Sequence, residues 1–181
     1  GESVRRGLPG AALGRVVQFG AGGGGAATSH ALLDLGAREL VLVDADVARR
    51  EKLTAQLAAE FPSAVLTQTD DGNAFVATAD GIVNATPVGM AAYPGTPFDT
   101  SLLQPSQWVA DIVYFPLETE LLRTARERGC RVLDGSGMVI GQAAMAFEIF
   151  TGHKADRQRS AAATMPCRDA MVGRLPGCSI G

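Results

Sequence analysis

Residues 16–44 read VVQFGAGGGGAATSHALLDLGARELVLVD, a stretch that few folds can accommodate. A short apolar run containing Val16, Val17 and Phe19 stops at Gly20, Gly22, Gly23, Gly24 and Gly25. An Ala- and Leu-rich helical pattern follows, and a second apolar run ends on Asp44. Gly20, Gly22 and Gly25 satisfy G-x-G-x-x-G between a strand and a helix, where that spacing has physical content. Without Cβ atoms the chain turns tightly and its backbone can approach a pyrophosphate. The free N–H groups and dipole of the helix N-terminus then bind that anion. A carboxylate at Asp44, ending the next strand, can accept hydrogen bonds from an adenosine ribose. The stretch therefore predicts dinucleotide binding. A Gly-rich turn without a ligand is the competing reading, and such a turn rarely needs glycines this dense.

The rest of the chain repeats the same alternation. Apolar runs at Arg15–Phe19, Leu40–Asp44, Ala64–Thr67, Gly81–Ala85, Trp108–Tyr114 and Arg131–Asp134 read as strands covered on both faces. Helical patterns fall at Ala26–Leu35, Val47–Glu60 and Glu118–Arg128. Alternation of this kind predicts an α/β fold, a Rossmann-like doubly wound parallel β-sheet of about six strands. Gly36 and Gly129 stand where left-handed helix caps belong, and Asp46 reads as the N-cap of the helix at Val47. A last helix, rich in Ala, Met and Phe, is expected over Gly137–Phe150.

Three segments are expected. Residues 1–14 read as the remains of a helix and linker, which suggests further protein upstream; 15–152 form the nucleotide-binding domain; 153–181 lack periodicity and read as a disordered tail. A net charge of −3 without a basic block argues against nucleic acid or an anionic membrane as partner. No apolar run approaches the roughly 20 residues of a membrane span, and no signal peptide opens the chain. Cys130, Cys167 and Cys178 lack metal-type spacing, so no metal site is expected and a cytoplasmic setting is the default.

Four segments carry a family resemblance: GAGGGGAA at 20–27, NATPVGM at 84–90, DIVYFPLETELLRTARERGC at 111–130 and DGSGMVIGQAAMAF at 134–147. In this order they resemble the nucleotide-binding half of the shikimate and quinate dehydrogenases. The resemblance implies reversible NAD(P)-dependent oxidation of a ring hydroxyl of shikimate or quinate to the 3-dehydro ketone. In that family an N-terminal substrate domain supplies a catalytic lysine and aspartate. Here the lysines are Lys52 and Lys154, outside any such motif, so no catalytic residue is assigned within the 181 residues. The alternative reading is a non-catalytic dinucleotide-binding module or subunit.

The resemblance places the cofactor against Gly20, Ala21, Gly22, Gly23, Gly24 and Gly25, with Gly24 and Gly25 closest to the pyrophosphate. It adds Thr86, Pro87 and Ile112 at the strand ends, and Gly135 and Met138 beside the nicotinamide. Tyr114 and Gln142 are the substrate candidates, Gln142 because it interrupts an apolar helix face. Asp44 with Arg49 resembles the NAD-preferring relatives. A carboxylate there repels a 2′-phosphate by about 4 kcal/mol at 4 Å and an effective dielectric near 20. NAD is therefore the expected cofactor, with NADP possible through Arg49. His30 and His153 receive no role.

Overall fold

The computed structural model describes residues 2–137, together with Thr151 and His153. A short helix α1 (Glu2–Gly7) precedes β1 (Arg15–Phe19), α2 (Gly23–Asp34), β2 (Glu39–Val43), α3 (Val47–Glu60) and β3 (Val65–Thr69). The second half runs α4 (Asn73–Val76), β4 (Gly81–Asn84), a 3-10 turn at Thr100–Leu102, β5 (Trp108–Asp111), α5 (Glu120–Glu127) and β6 (Arg131–Leu133). The strands form one parallel sheet in the order β3-β2-β1-β4-β5-β6. The expected doubly wound Rossmann-like fold is thus observed.

Period-two burial on a two-sided sheet divides the core. Val17, Phe19, Val41, Val43, Ile82 and Val109 face one layer, shared with Leu121, Leu122 and Ala125 of α5. Val16, Leu40, Leu42, Val83 and Trp108 face the other, against Leu32 and Leu33 of α2 and Leu53 and Leu57 of α3. Both faces are therefore apolar, which is why the strands read as continuous hydrophobic runs.

Register decides where a ligand can sit. Val43 pairs with Phe19, Phe19 with Asn84, and Asn84 with Asp111, so four strands end level at their carboxyl edge. The strand order reverses between β1 and β4, which opens a crevice beyond that edge.

Several strands stop earlier than the apolar runs suggest, for a shared reason. Asp44, Asn84 and Asp111 each accept, on a side-chain oxygen, the N–H two residues ahead: Asp46 at 2.9 Å, Thr86 at 3.0 Å and Val113 at 3.0 Å. Such Asx turns divert the chain from the ladder. Trp108–Tyr114 therefore shortens to Trp108–Asp111, and Gly81–Ala85 to Gly81–Asn84. In the other direction, α2 begins at Gly23 rather than Ala26, taking three glycines into its first turn. Helix α4 and the 3-10 turn are too short to show a period and were not expected. The Val47–Glu60 helix matches its expected bounds, and Asp46 caps it by accepting from the Arg49 N–H at 3.0 Å. Gly36 and Gly129 have φ of 95° and 85°, the left-handed caps expected of them. The helix expected over Gly137–Phe150 lies almost wholly outside the described residues, as does the tail beyond His153. Among the described residues no helix is long and apolar enough to cross a membrane.

At the opposite, amino edge, Gly81 lies under the Trp108 indole: an added Cβ would come within 1.9 Å of the ring. Trp108 is buried and its Nε1–H donates to the Ala12 carbonyl at 2.8 Å, so the ring has little room to retreat. Gly81→Ala should therefore destabilise the protein by about 1–3 kcal/mol, the usual cost of overpacking. Denaturant unfolding checks this; an unchanged midpoint would mean that the indole moves freely.

Candidate cofactor site

A cavity of about 630 Å³ lies beyond the carboxyl edge at the crevice. Three groups of residues line it. The first is the loop after β1, with Gly20, Gly22, Gly23 and Gly24; the second is Asp44, Ala45 and Arg49 after β2. The third comes from the loops after β4 and β5: Ala85, Thr86, Pro87 and Met90 from one, and Ile112, Val113, Tyr114 and Phe115 from the other.

The glycines divide by what demands them. Gly20 has φ of +100°, and an added Cβ would lie 2.5 Å from the Ala85 carbonyl oxygen. At Gly25 a Cβ would lie 2.1 Å from the Gly20 oxygen. Both positions are dictated by the fold, and Gly25 sits behind the loop without lining the cavity. At Gly22 and Gly23, by contrast, an added Cβ would meet no protein atom within 4 Å. Packing does not require glycine there, yet both positions line the cavity. Their bare backbone leaves room for a ligand to approach. Helix α2 also starts without a side-chain cap and without an acidic residue in its first turn. Its leading N–H groups and dipole are thus available to an anion. This loop fits a pyrophosphate.

Gln18 was missed by sequence reading. It sits among apolar neighbours in β1, is 0% exposed, and donates from Nε2 to the carbonyls of Gly20 and Gly25, each at 2.9 Å. It ties the start of the glycine loop to the first turn of α2. The signal was present: a polar residue in the middle of a buried strand needs partners.

Asp44 is almost fully committed. Its Oδ2 accepts the Ala21 N–H at 2.8 Å, and its Oδ1 accepts the Asp46 N–H at 2.9 Å. Arg49 bridges Asp44 at 3.3 Å and Asp46 at 3.2 Å. Partial burial works to raise the carboxyl's pKa, but the two backbone donors and Arg49 outweigh it and hold the group below its ordinary value. Asp44 is therefore an anion at neutral pH; the two amides and Arg49 take up the roughly four acceptor sites of its carboxylate, so a ribose hydroxyl would enter by displacing the exposed Arg49 guanidinium. The Arg50 guanidinium, nearly buried, donates to the Asp44 carbonyl and braces the same turn.

The remaining candidates separate. Thr86, Pro87, Ile112 and Tyr114 line the cavity; Tyr114 lies beyond the end of β5 and is half exposed. Ala21 is not on its lining but supplies the N–H that holds Asp44. Gly135 is not on the lining either, and a Cβ there would lie 2.6 Å from the Val113 oxygen and 2.7 Å from that of Ile112. Its lack of a side chain lets it pack on the loop after β5. Met138 and Gln142 lie outside the described residues. Ala45, Ala85, Met90, Val113 and Phe115 join the lining without having been singled out. His30 instead faces Glu60 at 3.3 Å, and Cys130 is buried. Among the described residues no group of three or more His, Cys, Asp or Glu could hold a metal.

Comparison with known proteins places this geometry. The family model for the shikimate 5'-dehydrogenase C-terminal domain matches residues 135–159. The chain is 55% identical over 159 residues to the shikimate dehydrogenase (NADP(+)) of Arthrobacter sp. (strain FB24), covering 87% of this chain and 54% of that protein. It is 45% identical over 160 residues to the quinate/shikimate dehydrogenase (NAD(+)) of Corynebacterium efficiens, covering 87% and 56%. The chain belongs to the shikimate/quinate dehydrogenase family. It spans about half the length of the curated dehydrogenases it matches. Among solved structures, the quinate dehydrogenase from Corynebacterium glutamicum in complex with NAD superposes with a TM-score of 0.84 at 42% identity. The match covers 91% of this chain and 59% of that dehydrogenase.

The charged cluster around Asp44 has a measurable signature. Because its pKa is depressed on folding, Asp44 contributes stability that is present above the unfolded carboxylate value and lost as pH falls through the folded one. At neutral pH Asp44→Asn should cost about 1–3 kcal/mol. The deficit should shrink only as pH falls below the ordinary carboxylate range and through the depressed folded value, where the wild-type carboxylate is itself protonated. Denaturant unfolding across that range checks this; parallel curves for both proteins would show that the carboxylate charge contributes nothing.

Proposed function

We propose that this chain forms the cofactor-binding part of an enzyme that reversibly oxidises a ring hydroxyl of shikimate or quinate to the 3-dehydro ketone, with NAD as the preferred acceptor. The observation that carries this reading is the pairing of bare backbone at Gly22 and Gly23 with an anionic Asp44 beside that loop on the same cavity. Pyrophosphate binding is assigned to the glycine loop and the N-terminus of α2, and the adenosine ribose to Asp44. The walls formed after β4 and β5 are left to the nicotinamide, following the division of such folds into two mononucleotide-binding halves. When bound, the cofactor supplies hydride acceptance; the protein's part is to hold it, orient it and exclude water around it. Tyr114 is proposed on the substrate side, together with Gln142.

Proton transfer needs a base, and the described residues offer no lysine on the cavity: Lys52 is exposed on α3. The catalytic lysine and aspartate are therefore proposed to come from a substrate domain outside these 181 residues. Positioned acid–base groups contribute about 10²–10⁴ in rate. Purified chain with saturating NAD should bind cofactor yet produce no detectable NADH from shikimate or quinate. Robust turnover would require another base within this sequence and would overturn the assignment.

The choice between NAD and NADP rests on Asp44. The Arthrobacter relative carries NADP(+) in its name, and Arg49 is the group here suited to pairing with a 2′-phosphate. Repulsion from Asp44 should still leave NAD bound more than about tenfold more tightly than NADP. Calorimetric titration of both cofactors at equal ionic strength tests this, and Asp44→Asn should narrow the gap. Equal or reversed affinities in the wild type would assign the chain to NADP instead.

A further inference from the structure

The cavity walls after β4 and β5 belong to different loops, yet one buried polar network joins them. Asn84, Asp111 and Thr119 are 0%, 2% and 1% exposed. Asn84 donates from Nδ2 to Asp111 Oδ1 at 3.0 Å and to the Val88 carbonyl at 2.8 Å. Its Oδ1 accepts the Thr86 N–H at 3.0 Å and the Thr86 hydroxyl at 2.6 Å. On the other side, Asp111 Oδ1 accepts the Val113 N–H at 3.0 Å, and Oδ2 accepts the Thr119 hydroxyl at 2.7 Å. The Thr119 oxygen in turn accepts the Leu122 N–H at 3.3 Å, so the network also anchors the N-terminus of α5.

Every partner of the Asp111 carboxylate is a donor, so both of its oxygens serve as acceptors. An amide at 111 could keep its oxygen toward Asn84 and Val113 only by turning its NH₂ to Thr119, whose hydroxyl would then have to accept where it now donates. Burial pushes the Asp111 carboxyl above its ordinary pKa, against the lowering effect of Thr119, Val113 and Asn84. The network reaches Thr86 on one wall and Val113 on the other, and both line the cavity.

We infer that Asp111 is a positioning residue which, through Asn84 and Thr119, locks the loops after β4 and β5 together and so shapes the nicotinamide half of the cofactor site. The inference rests on the cofactor reading above. It assigns the network to one half of the cavity, because Asp111 makes no hydrogen bond to Asp44, Arg49 or the glycine loop.

Two probes exploit that assignment: NAD, and ADP-ribose, which lacks the nicotinamide. Calorimetry on the purified chain should show Asp111→Asn binding NAD about tenfold more weakly while ADP-ribose affinity stays within about twofold. Thr119→Val should reproduce the loss, and Thr119→Ser, which keeps the hydroxyl, should restore it. Circular dichroism and thermal unfolding of each variant identify the temperature at which all are folded. NAD affinity unchanged in folded Asp111→Asn and Thr119→Val would overturn the inference alone. Equal losses for NAD and ADP-ribose would also overturn it, by making Asp111 a general stabiliser. Failure of the unaltered chain to bind either probe would overturn the cofactor reading, and the inference with it.

Discussion

Buried backbone must hydrogen-bond, and at the carboxyl edge of this sheet side chains take over from the ladder. Asp44, Asn84 and Asp111 each stand at or just past the end of a strand and capture the N–H two residues ahead. Asp134 does the same for Ser136 after β6, at 3.0 Å, and Thr69 for Asp71 after β3, at 3.1 Å. The chain thus leaves successive strands through turns whose polar groups are satisfied locally. Level register then brings those turns to one height across the sheet. The cavity follows from this arrangement, since the loops that line it start from fixed points.

The middle of the chain was legible for reasons that belong to the physics of strands and helices. Apolar runs marked the strands because both faces of the sheet are covered, and glycine spacing marked the turn between β1 and α2. Asp46 and the capping glycines 36 and 129 were readable because one residue determines each geometry. Strand ends were not, because Asp111 and Asn84 act through side-chain bonds to residues that an apolar run cannot distinguish from more strand. Gln18 escaped notice for the converse reason. Its importance lies in two carbonyls reached through space, and the sequence records only a polar residue among valines.

The glycine loop shows why residue type and residue purpose need separating. Gly20 and Gly25 are required by neighbouring backbone, whereas at Gly22 and Gly23 an added Cβ would meet no packed neighbour within 4 Å. Spacing alone marks Gly20, Gly22 and Gly25 as one motif and does not tell their purposes apart. In three dimensions the first pair makes the turn possible and the second pair leaves it bare. Asp44 likewise carries two duties, holding the Ala21 and Asp46 amides while lining the cavity with its charge. Its geometry is set by the fold before any ligand arrives, which is the meaning of a preorganised site.

Trp108 lies at the start of β5, at the edge of the sheet away from the cavity, with its indole over Gly81 and its N–H on the Ala12 carbonyl. It is the single tryptophan of the sequence. The molecule therefore carries one indole fluorophore, which can be excited apart from its two tyrosines, sealed in the core and bonded to the segment that leads into β1. Its emission reports the integrity of the sheet and that segment, while ligand events take place at the other end of the strands. Unfolding of the sheet can accordingly be followed optically through a probe remote from the cavity.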